Sequence, residues 1–181
     1  HSLATAKAYW EELKPGLTEE QRAVHPARWC LAEVCNVHSP AIEIEPIHRV
    51  VFGVTAQELY RDLDRWDRGN PPRPRAPVQR FRLADRQGER EVQWQNPVAP
   101  LTVGSVEAFL ASWLPAHPGA HVDYIHGASA ALALAARPGA PAAAILLPDL
   151  AKSDLFRGVV LGGVLPRKTF SMGHAEEKRY Y

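Results

Sequence analysis

Two kinds of apolar periodicity run along the chain, and they predict where helices and strands lie. Residues Ser2 to Leu13 and residues Ala56 to Trp66 each place their apolar side chains on one side of a helix. The segments TEEQ (18–21) and TAQE (55–58) each match a capping box, in which side chains satisfy the free N–H groups of a helix start. The pattern therefore predicts helices over 2–13 and 56–66, and a short helix after Thr18.

Other segments carry the continuous or alternating apolar residues that are typical of strands. The run from Arg28 to Val37 is rich in apolar residues and predicts a buried strand. Between Ile42 and Ile47, isoleucine and glutamate alternate, which predicts a strand with one solvated face and a candidate continuation over 49–52. The apolar run Ala142 to Leu147 predicts a central strand. Shorter strands are expected at 122–125 and within 164–172.

Prolines and turn residues separate these elements and decide the fold class. The segment Asp67 to Pro77 contains four prolines and predicts a loop, and residues 78–95 predict a hairpin around a turn at 85–89. Further helices are expected to begin at Ser105, Ser129 and Ala151. Helices and strands that alternate irregularly predict an α+β (mixed α/β) fold. We expect one domain over 1–181, with a central mixed sheet flanked by helices and a hairpin insertion.

Composition narrows the class of protein further. Hydrophobic residues make up 46% and charged residues 23%, which excludes general disorder. A net charge of +1 does not call for a nucleic acid or membrane partner, and no apolar stretch reaches the length of about 18 residues that a membrane span needs. Cys30 and Cys35 stand in the predicted strand, so we expect two buried thiols in a reducing compartment, the cytoplasm.

Four polar segments stand where a predicted helix or strand begins or ends, which is where functional residues commonly lie. His1 and Ser2 begin the first helix, whose free N–H groups favour an anion, although the same residues also fit a plain helix cap. In the strand predicted over 42–52, Glu45 and Arg49 share one face, and His48 is expected to titrate near neutral pH. A surface ion pair on an edge strand explains this second segment equally well.

The third and fourth segments lie later in the chain. Asp123, His126 and Gly127 end a strand and precede a helix, where a base can be presented; a surface turn is the alternative. Arg167 and Lys168, with hydroxyls nearby, suit a phosphate or carboxylate, and a solvated basic turn is the alternative. Asp123 and His126 are two candidate metal ligands, which is too few to predict a metal site.

The segments EPIHRVVFG, VDYIHG, AAAILLPDLAKSDLF and LPRKTFSMGHAEEKRYY together resemble the C-terminal half of domain-of-unknown-function family 1015. The resemblance implies a bacterial or archaeal protein whose N-terminal half precedes this chain. A motif in that half is similar to the phosphate-contacting motif of ParB-like proteins, some of which are nucleotide-dependent kinases of small metabolites such as free serine. Carried over by position, the resemblance selects these candidate site residues: His1, Glu45, His48, Arg49, Asp123, His126, Gly127, Arg167, Lys168, Ser171 and Met172.

The leading hypothesis is a site for a phosphorylated or otherwise anionic small molecule or nucleotide. The catalytic candidates are His48, His126 and Asp123, and the other candidates would contact the ligand. Phosphoryl transfer is the first reaction class to test, and the resemblance implies ATP or ADP with Mg²⁺ as the cofactor to consider.

The rival hypothesis is a non-catalytic regulatory or DNA-associated module. Between Arg65 and Arg90 the chain holds eight arginines and three acidic residues. This segment is either a basic surface that binds a nucleic acid or a solvated loop and hairpin. Because few aromatic residues accompany these arginines, we expect the solvated hairpin and do not expect nucleic acid as the main partner.

Overall fold

The computed structural model describes residues 2–32 and 34–173, and the chain divides into two compact units, 1–39 and 40–181. The first unit contains helix α1 (Ser2–Leu13), helix α2 (Glu19–Val24) and two short 3₁₀ turns. The capping box predicted at the start of α2 is confirmed. Thr18 accepts the N–H of Gln21 through its hydroxyl, and its own N–H is donated to the Gln21 side chain.

The strand predicted over 28–37 is wrong. Described residues from 29 to 43 form neither helix nor strand, and Leu31 and Val34 are fully exposed. The prediction of buried thiols fails with it, because Cys30 and Cys35 are both exposed. A strand needs a neighbour to pair its backbone groups, and the described part of the first unit contains no other strand.

The second unit is built on a sheet whose described pairings are all antiparallel, where a mixed sheet was expected. The strands are β1 (Ile44–Phe52), β2 (Gln79–Asp85), β3 (Gly88–Trp94), β4 (His121–His126), β5 (Ala142–Leu146) and β6 (Phe170–Met172). Their order in the sheet is β3-β2-β5-β1-β4, and β6 pairs with the start of β1. The predicted segments at 42–47 and 49–52 are one strand that runs through Pro46.

Helices cover both faces of this sheet. Helices α3 (Ala56–Gly69) and α4 (Thr102–Trp113) pack on one face, and α5 (Ala128–Ala135) packs on the other; we call these the α4 face and the α5 face. Helix α6 (Lys152–Gly162) follows β5. The α+β fold class and the hairpin of β2 and β3 are therefore confirmed. Each helix in the described part of the chain is too short or too polar to cross a bilayer.

Two helix boundaries differ from the predictions for local reasons. Helix α3 continues to Gly69 because the Asp67 carboxylate accepts the backbone N–H groups of Gln95 and Asn96, at 3.0 and 2.8 Å, which ties the last helical turn to the chain after β3. Helix α4 begins at Thr102, so Ser105 is not its cap. The Ser105 hydroxyl instead accepts the N–H of Ala99 from inside the helix.

Candidate functional site

Strand β1 divides its residues between the two faces of the sheet, and this alternation decides which candidates meet. Val51 belongs to the core of the α4 face and Val50 to that of the α5 face. Because side chains alternate along a strand, Arg49 and Glu45 point to the α4 face, while His48 points to the α5 face. The prediction that Glu45 and Arg49 share one face is confirmed. The alternative of a surface ion pair between them on an edge strand is wrong, because β1 lies between β5 and β4, Arg49 pairs with Glu107, and Glu45 pairs with His126.

Arg49 is completely buried and is held by a carboxylate from helix α4. Its Nε donates to Glu107 Oε1 at 2.8 Å, and its Nη1 donates to the carbonyl of Ile47. Nη2 lies 2.8 Å from the same Glu107 oxygen, but its N–H groups are not directed at it. Burial lowers the pKa of Arg49, and the opposing charge of Glu107 counters that shift. The Nε and Nη1 groups of Arg49 are therefore occupied by internal partners, and Nη2 has no hydrogen-bond acceptor among the described residues.

Tyr124 connects this ion pair to the turn before β6. It lies opposite Arg49 in the pairing of β1 with β4, and its hydroxyl donates to Glu107 Oε2 at 3.1 Å. The Lys168 ammonium lies 4.6 Å from the centroid of the Tyr124 ring, and the Arg49 guanidinium carbon lies 4.8 Å from it. Burial, followed by the charge of Glu107, raises the pKa of Tyr124. Tyr124 therefore remains a neutral hydrogen-bond donor and an aromatic platform for cations.

His126 and Glu45 form a hydrogen-bonded pair beside Tyr124. His126 lies opposite Ile47 in the pairing of β1 with β4, so it shares the α4 face with Tyr124. Its Nε2 is bonded to the Glu45 carboxylate, and the two side chains are 16% and 31% exposed. An ionised carboxylate only accepts hydrogen bonds, so Nε2 carries the proton and Nδ1 the lone pair when the ring is neutral.

These contacts join four parts of the chain that are far apart in sequence: residues 45–49, Glu107, residues 124–126 and Lys168. We call the six residues that make these contacts the polar cluster: Glu45, Arg49, Glu107, Tyr124, His126 and Lys168. Ser171 lies opposite Glu45 in the pairing of β1 with β6 and is buried. The cluster combines an internal ion pair with a solvent-accessible imidazole and an exposed ammonium group. That set can transfer a proton and attract negative charge.

His48 and Asp123, the other two catalytic candidates, lie on the α5 face. His48 is buried, and its Nδ1 accepts the N–H of Leu147 at 3.1 Å. Burial lowers the pKa of His48, and the charge of Arg49 lowers it further. Asp123 is exposed and lies opposite Val50 on the edge strand β4. The sheet therefore separates both residues from the polar cluster, and their catalytic roles stay predictions.

The remaining candidates surround the cluster or lie elsewhere. Gly127 precedes α5 with a φ of 84°, a conformation that suits glycine, and Arg167 is exposed beside Lys168. Met172 is 58% exposed at the end of β6. His1 lies outside the described residues.

Sequence reasoning missed Glu107, which has no motif around it. The available signal was its isolation, because it is the only charged residue in the otherwise apolar helix α4. A lone carboxylate on a buried helix needs a buried cation as its partner. The position of that cation in space could not be read from the sequence. Among the described residues, no group of three His, Cys, Asp or Glu side chains could hold a metal ion.

Comparison with known proteins adds a family assignment. A family model described as "Protein of unknown function (DUF1015)" matches residues 1–114. No curated protein and no solved structure matches the chain. The matched span contains Glu45, Arg49 and Glu107, whereas Tyr124, His126 and Lys168 lie beyond it.

Proposed function

We propose that this chain, which belongs to the DUF1015 family of proteins of unknown function, binds a phosphorylated or otherwise anionic small molecule at the polar cluster, with His126 as an acid/base. One observation carries the proposal: the bonded pair of His126 and Glu45 shares a sheet face with the Lys168 ammonium above Tyr124. Tyr124 and His126 are two residues apart on one strand face, which sets them about 6.6 Å apart at a rise of about 3.3 Å per residue.

Lys168 is the group best suited to contact the anion. Arg49 is buried and already paired with Glu107, so it serves as a support that fixes Tyr124 through the shared carboxylate. Lys168 is exposed, and its contact with the Tyr124 ring positions the ammonium without neutralising it. Arg167, the exposed neighbour of Lys168, supplies a second cation at the same turn.

The backbone at Lys168 gives independent support. Its φ is 53°, in the left-handed region that side chains other than glycine seldom adopt. Such a conformation costs about 1–2 kcal/mol for an L-residue. Residues held in strained conformations cluster at ligand-contacting positions, and a glycine here would relieve the strain. A lysine in this strained conformation therefore supports a role for its ammonium group.

Phosphoryl transfer is the reaction that this arrangement favours if the protein is an enzyme. A hydroxyl of the acceptor would lose its proton to His126 Nδ1 while its oxygen bonds to the terminal phosphorus of a nucleotide. The bond from that phosphorus to the bridging oxygen breaks, and the electron pair leaves with the nucleoside diphosphate. Glu45 holds the imidazole and stabilises the imidazolium that forms. Mg²⁺ would arrive on the phosphates of the nucleotide.

We place the reaction in the cytoplasm and treat the chain as the C-terminal part of a larger protein. The rival role, a DNA-associated ParB-like module, draws less support from the hairpin arginines. Arg82 pairs with Glu89 at 2.6 Å, and Arg80 lies 3.9 Å from Glu91. Arginines with acidic partners leave less free positive charge for a phosphate backbone.

Isothermal titration calorimetry with pyrophosphate, and with ADP and ATP in the presence of Mg²⁺, tests the proposal. We expect saturable binding by the full chain, and a loss of affinity of about 10- to 100-fold for Lys168→Gly, because a charged contact is worth about 1.5–3 kcal/mol. Glycine removes the ammonium group without disturbing the backbone. Arg86→Ala is the control, since Arg86 is an exposed arginine in the hairpin turn.

Two results with the unmodified chain and Lys168→Gly would refute the proposal. One is that none of the three phosphate compounds binds. The other is that Lys168→Gly binds them as tightly as the unmodified chain does, which would mean that any anion binds elsewhere. Arg86→Ala is expected to retain the affinity of the unmodified chain, so a loss in this variant would also contradict a localised site.

A further inference from the structure

The described part of the second unit contains a cleft with a volume of about 530 Å³. Its lining includes none of the six residues of the polar cluster, although Pro46 and Thr169 in the lining are chain neighbours of Glu45 and Lys168. Its wall includes Val103 and Leu147, which also belong to the core of the α4 face. The proline-rich segment 73–79, the segments 97–103 and 147–150, and helix α6 enclose it. Clefts of about 300–1,000 Å³ with apolar walls are typical small-molecule sites. We propose that this cleft binds a monoanionic ligand with an apolar, hydrogen-bond-donating body.

The apolar part of the ligand follows from the walls. Six prolines line the cleft together with leucine and valine side chains. None of these side chains carries a hydrogen-bonding group, so they favour contact with an apolar part of the ligand. Helix α6 closes one side of the cleft, where its Gly158 packs against the side chain of Leu101. A Cβ atom at Gly158 would lie 2.7 Å from the Leu101 side chain, so the close approach depends on glycine at this position.

The charge of the ligand follows from the rim. Three arginines, Arg73, Arg75 and Arg157, line the cleft, and none has a hydrogen-bond or ion-pair partner for its guanidinium within the described ranges. Asp149 and Asp154 also line it, so the lining has one positive charge in excess, three arginines against two aspartates. A single carboxylate or sulfonate fits this balance, whereas a polyphosphate would be repelled by the two carboxylates.

A buried amide adds the requirement for a donor. Gln79 is 4% exposed and stands in the cleft wall, where its Nε2 donates to the carbonyl of Ala99 at 2.8 Å. This bond fixes the orientation of the amide. Its Oε1 is buried and has no donor within the described part of the chain. An acceptor in that position favours a ligand with an N–H or O–H group on its apolar body.

The dye 1-anilinonaphthalene-8-sulfonate has this combination of one anionic group, an aromatic body and an N–H donor, and it is the probe for the test. We expect one saturable site per chain, detected by fluorescence enhancement. Arg157→Glu reverses one rim charge and is expected to weaken binding of the dye at least about 10-fold. N-phenyl-1-naphthylamine lacks the sulfonate, so its binding is expected to change little in the same variant.

Further variants separate the cleft from other apolar surfaces. Leu161→Trp adds bulk at a residue that lines the cleft, and we expect it to weaken binding of both dyes. Phe156→Ser removes an exposed apolar side chain of α6 that does not line the cleft, and binding is expected to persist. Circular dichroism of each variant verifies that it is folded.

The proposal is overturned if the unmodified chain binds no dye saturably. It is also overturned if Arg157→Glu and Leu161→Trp both bind the sulfonate dye as well as the unmodified chain does, or if Phe156→Ser abolishes binding. The outcome is independent of the polar cluster. Lys168→Gly is expected to leave dye binding unchanged, and Leu161→Trp is expected to leave pyrophosphate binding unchanged.

Discussion

The two faces of the sheet differ in how their buried polar groups are stabilised, although β1 contributes residues to both faces. On the α4 face, Arg49 is fully buried and keeps its charge because Glu107 approaches from a neighbouring helix. On the α5 face, His48 is buried with a lowered pKa and a backbone N–H as its partner. A buried guanidinium stays charged and needs an opposite charge beside it, whereas a buried imidazole with a lowered pKa becomes neutral.

The difference has a source in the helices that cover each face. Helix α4 carries a carboxylate into its buried surface, whereas α5 packs small alanines such as Ala131 and Ala135 against the sheet and brings no charged group to it. The α4 face therefore holds ionic groups in fixed positions next to solvent, which is what an anion site requires. The α5 face supports packing, and its arginine, Arg82, remains at the surface.

The largest loss of stability is expected when the ionic partner of Arg49 on the α4 face is removed. Glu107→Ala leaves a buried guanidinium without its counter-charge, and we expect a loss of about 3–5 kcal/mol in the free energy of unfolding, measured by urea denaturation. The double variant Arg49→Met with Glu107→Leu replaces both charges by apolar groups and is expected to be far closer to the unmodified chain. A single variant that loses less than about 1 kcal/mol would show that Arg49 does not depend on Glu107.

The second change acts on the α5 face. His48→Ala leaves the N–H of Leu147 without its acceptor, and we expect a loss of about 1–3 kcal/mol at pH 7.5. The pKa of His48 is lowered in the folded state, so the unfolded chain takes up the proton first as the pH falls below about 6.5. The folded state of the unmodified chain therefore loses stability in that pH range. The variant has no imidazole at position 48, so it does not show this part of the pH dependence.

The gap in stability between the two proteins should consequently narrow as the pH falls from 7.5 to 5. Arg49, Asp149, Arg82 and His126 are the charged or titratable groups whose fields act on His48, and all of them remain in the variant. Urea denaturation at a series of pH values measures the gap. A constant or widening gap would mean that folding does not lower the pKa of His48.

The smallest effect is expected at the exposed arginine of the α5 face. Arg82 pairs with Glu89 across the hairpin, but the two side chains are 56% and 39% exposed. Water and salt screen such a pair, so Arg82→Ala should change the free energy of unfolding by less than about 1 kcal/mol. A loss as large as that of Glu107→Ala would show that burial does not explain the difference between the two arginines.

The sequence predicts local structure here better than it predicts contacts. Both capping boxes and the hairpin are present, since each depends on neighbouring residues. Strict alternation along β1 also implies that His48 cannot face the same side as Glu45 and Arg49. The family resemblance selects all three as candidates for one site, but neighbouring residues along a strand point to opposite faces of the sheet.

Long-range partners account for what the sequence could not reveal. The contact of Glu107 with Arg49 spans 58 residues, and that of His126 with Glu45 spans 81. The apolar run at 28–37 has the composition of a buried strand, yet burial depends on an available edge, which no local pattern encodes. The cleft likewise requires three loops and a helix to meet, so it is visible only in the fold.

Nuclear magnetic resonance of the histidine rings during a pyrophosphate titration tests the assignment of anion binding to the α4 face most directly. The signals of His126 and His48 can be assigned from the variants His126→Gln and His48→Ala. We predict that the Cε1–H signal of His126 shifts in step with saturation, while that of His48 stays in place on the opposite face. A shift of His48 without one of His126, or binding that moves neither, would contradict the account.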